Sequence, residues 1–400
     1  MSEYQYYEFQ AIDQPLTREQ LAAVQSLSSR VDLTPTRASF TYNYSDFRGD
    51  PLKVLEAHFD VMLYIANWGS KRLAFRFPRS AIDLQPLMPY YWGIDDISLT
   101  TTEQHVLLDI SFNDEEGGRW IDENEASLGA LPMLRQDILR GDLRALYLAW
   151  LNAAPLAEDE DDEWDDQDEE DSEDDESDDA EVKESSGLRE PPLPAGLGQL
   201  SAPLQAFAEL FEIDEDLIAA AAEASPPLDQ DVDQIEQWVP MLPEAERNAF
   251  LVRIARGEPL VDVGLVRRLR EVGGKANTAG PEPTAERRTI GELLAAAEQI
   301  RQRRKAKARE EAELARLRKL EALAQREPAA WARVKQLIDR KQAQPYDEAV
   351  ALLVELRDLA IHRGEPARFQ QQIDAIQAEY SNRPALLERL QKAGLIKATR

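Results

Sequence analysis

No cysteine occurs in the 400 residues. That excludes a disulfide framework, thiolate metal sites and a cysteine nucleophile, and it fits a reducing compartment. Histidine is almost as scarce. The chain has three, His58, His105 and His362, none close to another in sequence, which leaves little from which to build a zinc site or a catalytic triad. Long apolar runs are missing too. No stretch approaches the roughly 18 residues a membrane helix needs, and the opening Met-Ser-Glu-Tyr-Gln-Tyr-Tyr has neither the basic nor the apolar region of a signal peptide. A cytoplasmic protein with no membrane partner is the expectation.

What the chain has in excess is charge, unevenly placed. The net charge is −30, with 46 Lys+Arg against 76 Asp+Glu. Between Glu158 and Glu184 there are 20 acidic residues and one basic, Lys183. Residues 285–400 carry 24 Lys+Arg against 17 Asp+Glu, a surplus of +7. The molecule is polarised along its length. An apolar fraction of 43% still suffices for real cores, and the length predicts two or three folding units.

Residues 1–155 read as an α+β domain, a mostly antiparallel sheet with helices on one face. Strands are predicted at Tyr4–Ala11, Arg37–Tyr44, Arg72–Phe77, Ile97–Thr101 and Val106–Phe112, from aromatic and β-branched enrichment and alternation. Thr17 and Gln20 stand as a capping box ahead of Leu21, Val24 and Leu27. Asp50-Pro51 opens a helix whose stripe is read as Val54, Leu55, Phe59, Met62 and Leu63. Two further helices are expected near Glu123–Leu139 and Asp142–Leu151.

Residues 156–200 read as a linker, acidic and then Pro/Gly-rich. Like charges repel there and almost nothing apolar is available to offset ordering, at about 1–2 kcal/mol per residue. Everything after it reads as an all-α half. Residues 201–272 form a small helical bundle whose boundaries are marked by Pro226-Pro227, Pro240, Pro243 and Pro259. A second linker spans 273–284. One long charged helix covers 285–327, with apolar seams at Ile290, Leu293, Leu294, Ala297 and Ile300 and at Leu314, Leu317, Leu320 and Leu323. Each seam is about two heptads, short for a coiled coil. A helical-hairpin module closes the chain at 328–400.

Candidate chemistry is sparse. His58 sits among apolar helix neighbours, His105 at a hairpin tip, and His362 in a last helical turn, where a cation suits the dipole. Gly273-Gly274-Lys275-Ala276 resembles the end of a phosphate loop but lacks its hydroxyl residue and first glycine. Asp229, Asp231 and Asp233 echo a calcium loop, yet Gln234 and Pro240 stand where Gly and Glu are needed. Asp109, Asp114, Glu115 and Glu116, near Arg119, are the one carboxylate group that acid–base or metal chemistry could use. Tyr90, Tyr91 and Trp92 form a candidate recognition surface. Arg301–Arg309 places six cations within nine helical residues, enough for non-specific phosphate contact. No catalytic, cofactor or metal residue is assigned.

Glu3-Tyr4-Gln5-Tyr6-Tyr7-Glu8-Phe9-Gln10 and Asn67-Trp68-Gly69-Ser70-Lys71-Arg72-Leu73 are similar to a family of hypothetical bacterial proteins. Tyr346-Asp347-Glu348-Ala349-Val350 through Leu356-Arg357-Asp358-Leu359-Ala360 resembles a helical module at the C-terminus of bacterial SWIM zinc-finger proteins. The resemblance implies a bacterial source and brings no zinc site, since those ligands include cysteine. Tyr346–Leu353 also looks like the opening of a tetratricopeptide-type helical pair, without a second copy.

The expected function is therefore that of a non-enzymatic interaction or scaffold protein, engaging a protein partner through its helical half or its aromatic surface. The alternatives are a nucleic-acid-associated factor or DNA mimic, acting through 301–309 or the acidic tract, and an enzyme using the N-terminal carboxylates.

Overall fold

The computed structural model describes residues 3–43, 46–113, 127–168, 188–228, 235–273 and 287–397, with 158–168 as backbone only. The chain divides into two compact units, Met1–Arg301 and Gln302–Arg400.

The first unit is built on strands β1 (Tyr4–Gln10), β2 (Asp32–Leu33), β3 (Arg37–Asn43), β4 (Val61–Ala66), β5 (Ser70–Pro78), β6 (Ile97–Thr101) and β7 (His105–Asn113). They form one sheet in the order β2-β3-β1-β4-β5-β7-β6. Every pairing is antiparallel. Helices α1 (Arg18–Leu27) and α2 (Pro51–His58) start where their caps predict. The Thr17–Gln20 capping box forms, and the Asp50 side chain accepts from the Leu52 and Lys53 N–H groups.

The α2 stripe was read too far. The helix stops at His58, Asp60 breaks the chain, and Met62 and Leu63 lie in β4. Val61-Met62-Leu63-Tyr64-Ile65-Ala66 is a short apolar run buried on both faces, which helical and strand periodicity describe equally well. The central strand position between β1 and β5 decides it.

Helices cover both faces of the sheet, not one. Tyr7 and Phe9 of β1 pack with Phe40, Met62 and the α1 and α2 residues Val24 and Leu55. Tyr4 and Tyr6 face the other side, with Leu63, Phe75 and Leu108. That side is covered by α3 (Pro132–Leu139), α4 (Arg144–Asp168), α5 (Ala202–Leu210) and α6 (Glu215–Ala224). Residues Ala145–Leu151 of α4 are all buried, as expected of a helix apolar on every side.

The linker expectation fails in its Pro/Gly-rich part. The helix α4 carries its backbone to Asp168, and residues 188–200 are packed into the first unit. Leu188 and Glu190 pair antiparallel with Arg288 and Ile290: the Glu190 N–H donates to Arg288 O at 2.9 Å, and Ile290 N–H to Leu188 O at 3.0 Å. Leu197 is buried. A Pro/Gly-rich composition limits regular structure without preventing burial of the leucines between. Nor do residues 201–272 stand as a separate bundle, because Leu204, Phe207 and Leu217 share the sheet's core. The short α7 (Ile235–Trp238), α8 (Glu244–Ala255) and α9 (Val261–Val272) close this part. Residues 169–187 and 274–286 lie outside the described residues.

The boundary between the units falls within α10 (Ile290–Gln325). Ile290, Leu293 and Ala297 join the first core, while Leu294 and Leu314 of the expected seams are exposed. In the second unit Leu320 and Leu323 pack with α11 (Glu327–Asp339), α12 (Ala343–His362), α13 (Pro366–Glu379) and α14 (Pro384–Lys392). Its core is Val334, Leu337, Leu353, Ile373, Leu386 and Leu390, with Trp331 and Phe369 ring centroids 5.8 Å apart.

Candidate functional site

Among its described residues the first unit carries an open groove of about 930 Å³. One wall is the loop before β6, with Pro86, Pro89 and Tyr90. The second is the α3–α4 turn, Arg140–Leu143, and the third is Pro192–Ala195 with Pro226 and Leu228. Prolines have no N–H and a fixed φ, so these walls are rigid and poor in donors.

Tyr90 joins two walls. It is buried, and its hydroxyl donates to Pro192 O at 2.7 Å. Burial pushes its pKa well above the ordinary tyrosine value, so it serves as a fixed donor and not as a base. Gly141 turns the chain between α3 and α4 at φ +88, a left-handed conformation that side chains resist. Its N–H donates to Ile138 O at 2.9 Å.

Charge in the groove is arranged in pairs. Asp142 is held by Arg144, with Nε–Oδ1 at 3.0 Å and Nη2–Oδ2 at 2.7 Å. Nearby Asp137 has its pKa raised, by burial first and by Asp142 second. Arg270 donates to Arg140 O at 2.7 Å, and the Arg140 guanidinium stands 3.7 Å from Asp262. Two arginines, Arg140 and Arg270, therefore stand together in the lining of a proline-walled groove. Its carboxylate at the turn is already neutralised, and no histidine lines it. Such a surface can bind an extended chain. Asp83 adds a second carboxylate to its lining.

The residues singled out in sequence do not converge on it. Of the aromatic trio only Tyr90 lines the groove. Tyr91 is half-buried against the core, and Trp92 is 73% exposed. Asp109 is taken by Arg72, with contacts of 2.7 and 2.5 Å. Asp114, Glu115, Glu116, Arg119, Asp229, Asp231, Asp233 and Gly274–Ala276 lie outside the described residues. Gly273 caps α9 where the Trp238 indole leaves no room for a Cβ, at 2.4 Å. Arg301, first of the basic run, pairs with Asp214, Asp216 and Glu298. Residues 302–310 are exposed. Among the described residues no group of three or more His, Asp or Glu side chains could hold a metal, and no helix is long and apolar enough to cross a membrane.

The groove itself was missed because its walls come from four separate segments. The one signal available was the proline recurrence at 86, 89, 192, 194 and 226.

The histidines have bland surroundings with one consequence. Burial, then Arg76, lowers the pKa of both His58 and His105. The folded chain keeps them neutral where the unfolded chain takes up protons, so stability falls as pH drops below about 6.5. His58→Gln is expected to flatten the slope of the urea midpoint between about pH 7 and pH 5. An unchanged slope would remove His58 from this account.

Neither a protein-family model, nor a curated protein, nor a solved structure matches the chain.

Proposed function

We propose that this is a non-enzymatic interaction protein whose first unit takes an extended segment of a protein partner in the groove beside Tyr90. The supporting observation is the groove's make-up: rigid proline walls, apolar Leu143 and Leu193, and the neighbouring arginines Arg140 and Arg270. Carboxylates of the bound segment meet those guanidiniums, and the prolines offer carbonyls and apolar surface to an extended backbone. The exposed, charged middle of α10 and the acidic tract act as accessory surfaces in this scaffold role.

The test uses the tagged full-length chain as bait in extract of its source cells, at low and high salt, with and without nuclease. Arg140→Glu/Leu193→Glu is expected to lose protein partners that the unaltered chain keeps through nuclease and high salt. Retention of the same partners by the variant would sink the groove reading. A second reading rests on the exposed residues 302–310, where Arg303, Lys305, Lys307 and Arg309 offer phosphate contacts. It predicts that every partner disappears on nuclease treatment.

A further inference from the structure

Helix α8 is built inside out. At 3.6 residues per turn, Ala245, Asn248, Leu251, Val252 and Ala255 share one side, and Glu246, Arg247 and Phe250 share the other. The half-buried side is the second: Glu246 pairs with Arg268 of α9 at 2.7 Å, and the Phe250 ring lies over Gly264. The first side faces out, with Leu251 58% and Val252 47% exposed, and Ile254, beside Phe250 and Arg247 at this spacing, is 48% exposed as well. No residue of α8 is buried. Scattered exposed leucines are ordinary in monomers, whereas a contiguous apolar stripe marks an interaction surface.

The flanking stretches 229–234 and 274–286 contain one large apolar residue between them, Val232, so their composition does not supply a cover. The charge pattern of α8 specifies one. Glu246 of its first turn and Arg253 of its last are paired within the chain, with Arg268 and Glu258, which leaves Glu244 at its start and Arg256 at its cap exposed. A helix acidic at its start and basic at its end is complementary to itself when antiparallel. Antiparallel packing also opposes the two macrodipoles.

We propose that α8 is the interface through which two copies of this chain associate, antiparallel about a two-fold axis near residue 250. In that register Glu244 of each copy meets Arg256 of the other, and Asn248 meets Val252. Ala245 and Ala255 allow the two backbones to approach closely. The interface is isologous, so it closes at two copies.

Sedimentation velocity of the full chain over a concentration series tests this. The unaltered protein is expected to dimerise. Leu251→Glu/Val252→Glu is expected to be monomeric with an unchanged thermal midpoint, because both side chains are exposed and contribute little to folding. Glu244→Arg is expected to weaken association about tenfold or more by setting like charges together twice. Adding Arg256→Glu is expected to restore it. Because the chain has no cysteine, Leu251→Cys supplies a clean check: oxidation gives one intermolecular disulfide. A monomer at every concentration, a dimer untouched by Leu251→Glu/Val252→Glu, or no rescue by the paired charge swap would each overturn the proposal.

Discussion

Replacing Arg135 with alanine is expected to destabilise the protein by about 3–5 kcal/mol, the usual effect of removing one partner from a buried ion pair. The Arg135 side chain is 1% exposed, and its planar fork binds Asp13 at 2.9 and 2.7 Å. Its Nε donates to Arg76 O at 2.7 Å, and Nη2 reaches Asp60 Oδ1 at 3.4 Å. Asp60 is as deeply buried, and it pairs with Arg76 at 2.9 Å and accepts from the Ile12 and Asp13 N–H groups at 2.7 and 3.0 Å. Two guanidiniums and two carboxylates thus neutralise one another where the β1–α1 loop, β4, β5 and α3 meet. Without Arg135, Asp13 loses its charge partner, and a cavity opens beside Phe77.

Arg135→Lys is expected to recover only part of the loss, since one ammonium cannot reproduce a fork held at three acceptors. The cluster also makes the protein acid-sensitive. Burial opposes ionisation of Asp60, yet Arg135, then Arg76 and the two backbone N–H groups outweigh it and hold its pKa below the usual carboxylate value. A depressed folded pKa contributes stability above the unfolded value, about 4, and that contribution is lost as pH falls through the folded value. Urea unfolding at neutral pH measures the first effect, and its repetition near pH 3 the second. A change under about 1 kcal/mol would show that the cluster is not buried in solution.

The second large effect is expected at Glu190, in a stretch whose composition reads as linker. Glu190→Ala is expected to cost about 2–4 kcal/mol, less than a fully buried pair because Arg288 keeps some contact with water. The Arg288 side chain is 26% exposed and the Glu190 side chain 6%. The Glu190 carboxylate accepts from Arg288 at 2.8 and 2.9 Å and from the Tyr147 hydroxyl. Burial, then Glu190, raises the Tyr147 pKa far above the ordinary value, so the hydroxyl stays protonated and donates. The variant leaves that hydroxyl buried without its acceptor, and it loosens the pairing of residues 188–190 with 288–290. Tryptic cleavage after Arg189 is expected to accelerate along with the drop in urea midpoint. A variant as stable and as resistant as the parent would mean that this stretch is a tether after all.

Where the chain's own chemistry is local, the sequence reading and the structure agree. The Thr17–Gln20 box and the Asp50-Pro51 start are completed within a turn of backbone. Strand β5 declares itself by alternation, and β1 by its tyrosines and phenylalanines, although it is buried on both faces. The apolar run Val61–Ala66 gave no such contrast, because β4 is buried on both faces. Leu188–Leu200 misled in the opposite sense: proline and glycine argue against regular structure, and burial in an irregular conformation leaves no periodic trace. The groove shared that difficulty, since its walls come from separate parts of the chain, with Tyr90 bonded to Pro192 102 residues further on.

The sequence alone determined the α+β beginning, the all-α second half, the polarity of charge along the chain, and the absence of thiol chemistry. These follow from composition, caps and short-range periodicity, which each segment carries by itself. Only the tertiary structure decided that helices cover both sheet faces, that Glu190 is a core residue, that Asp109 belongs to Arg72, and that α8 turns its apolar side outward. Each of those depends on which distant segment supplies the neighbouring surface, and burial energy is a property of that meeting and not of either segment.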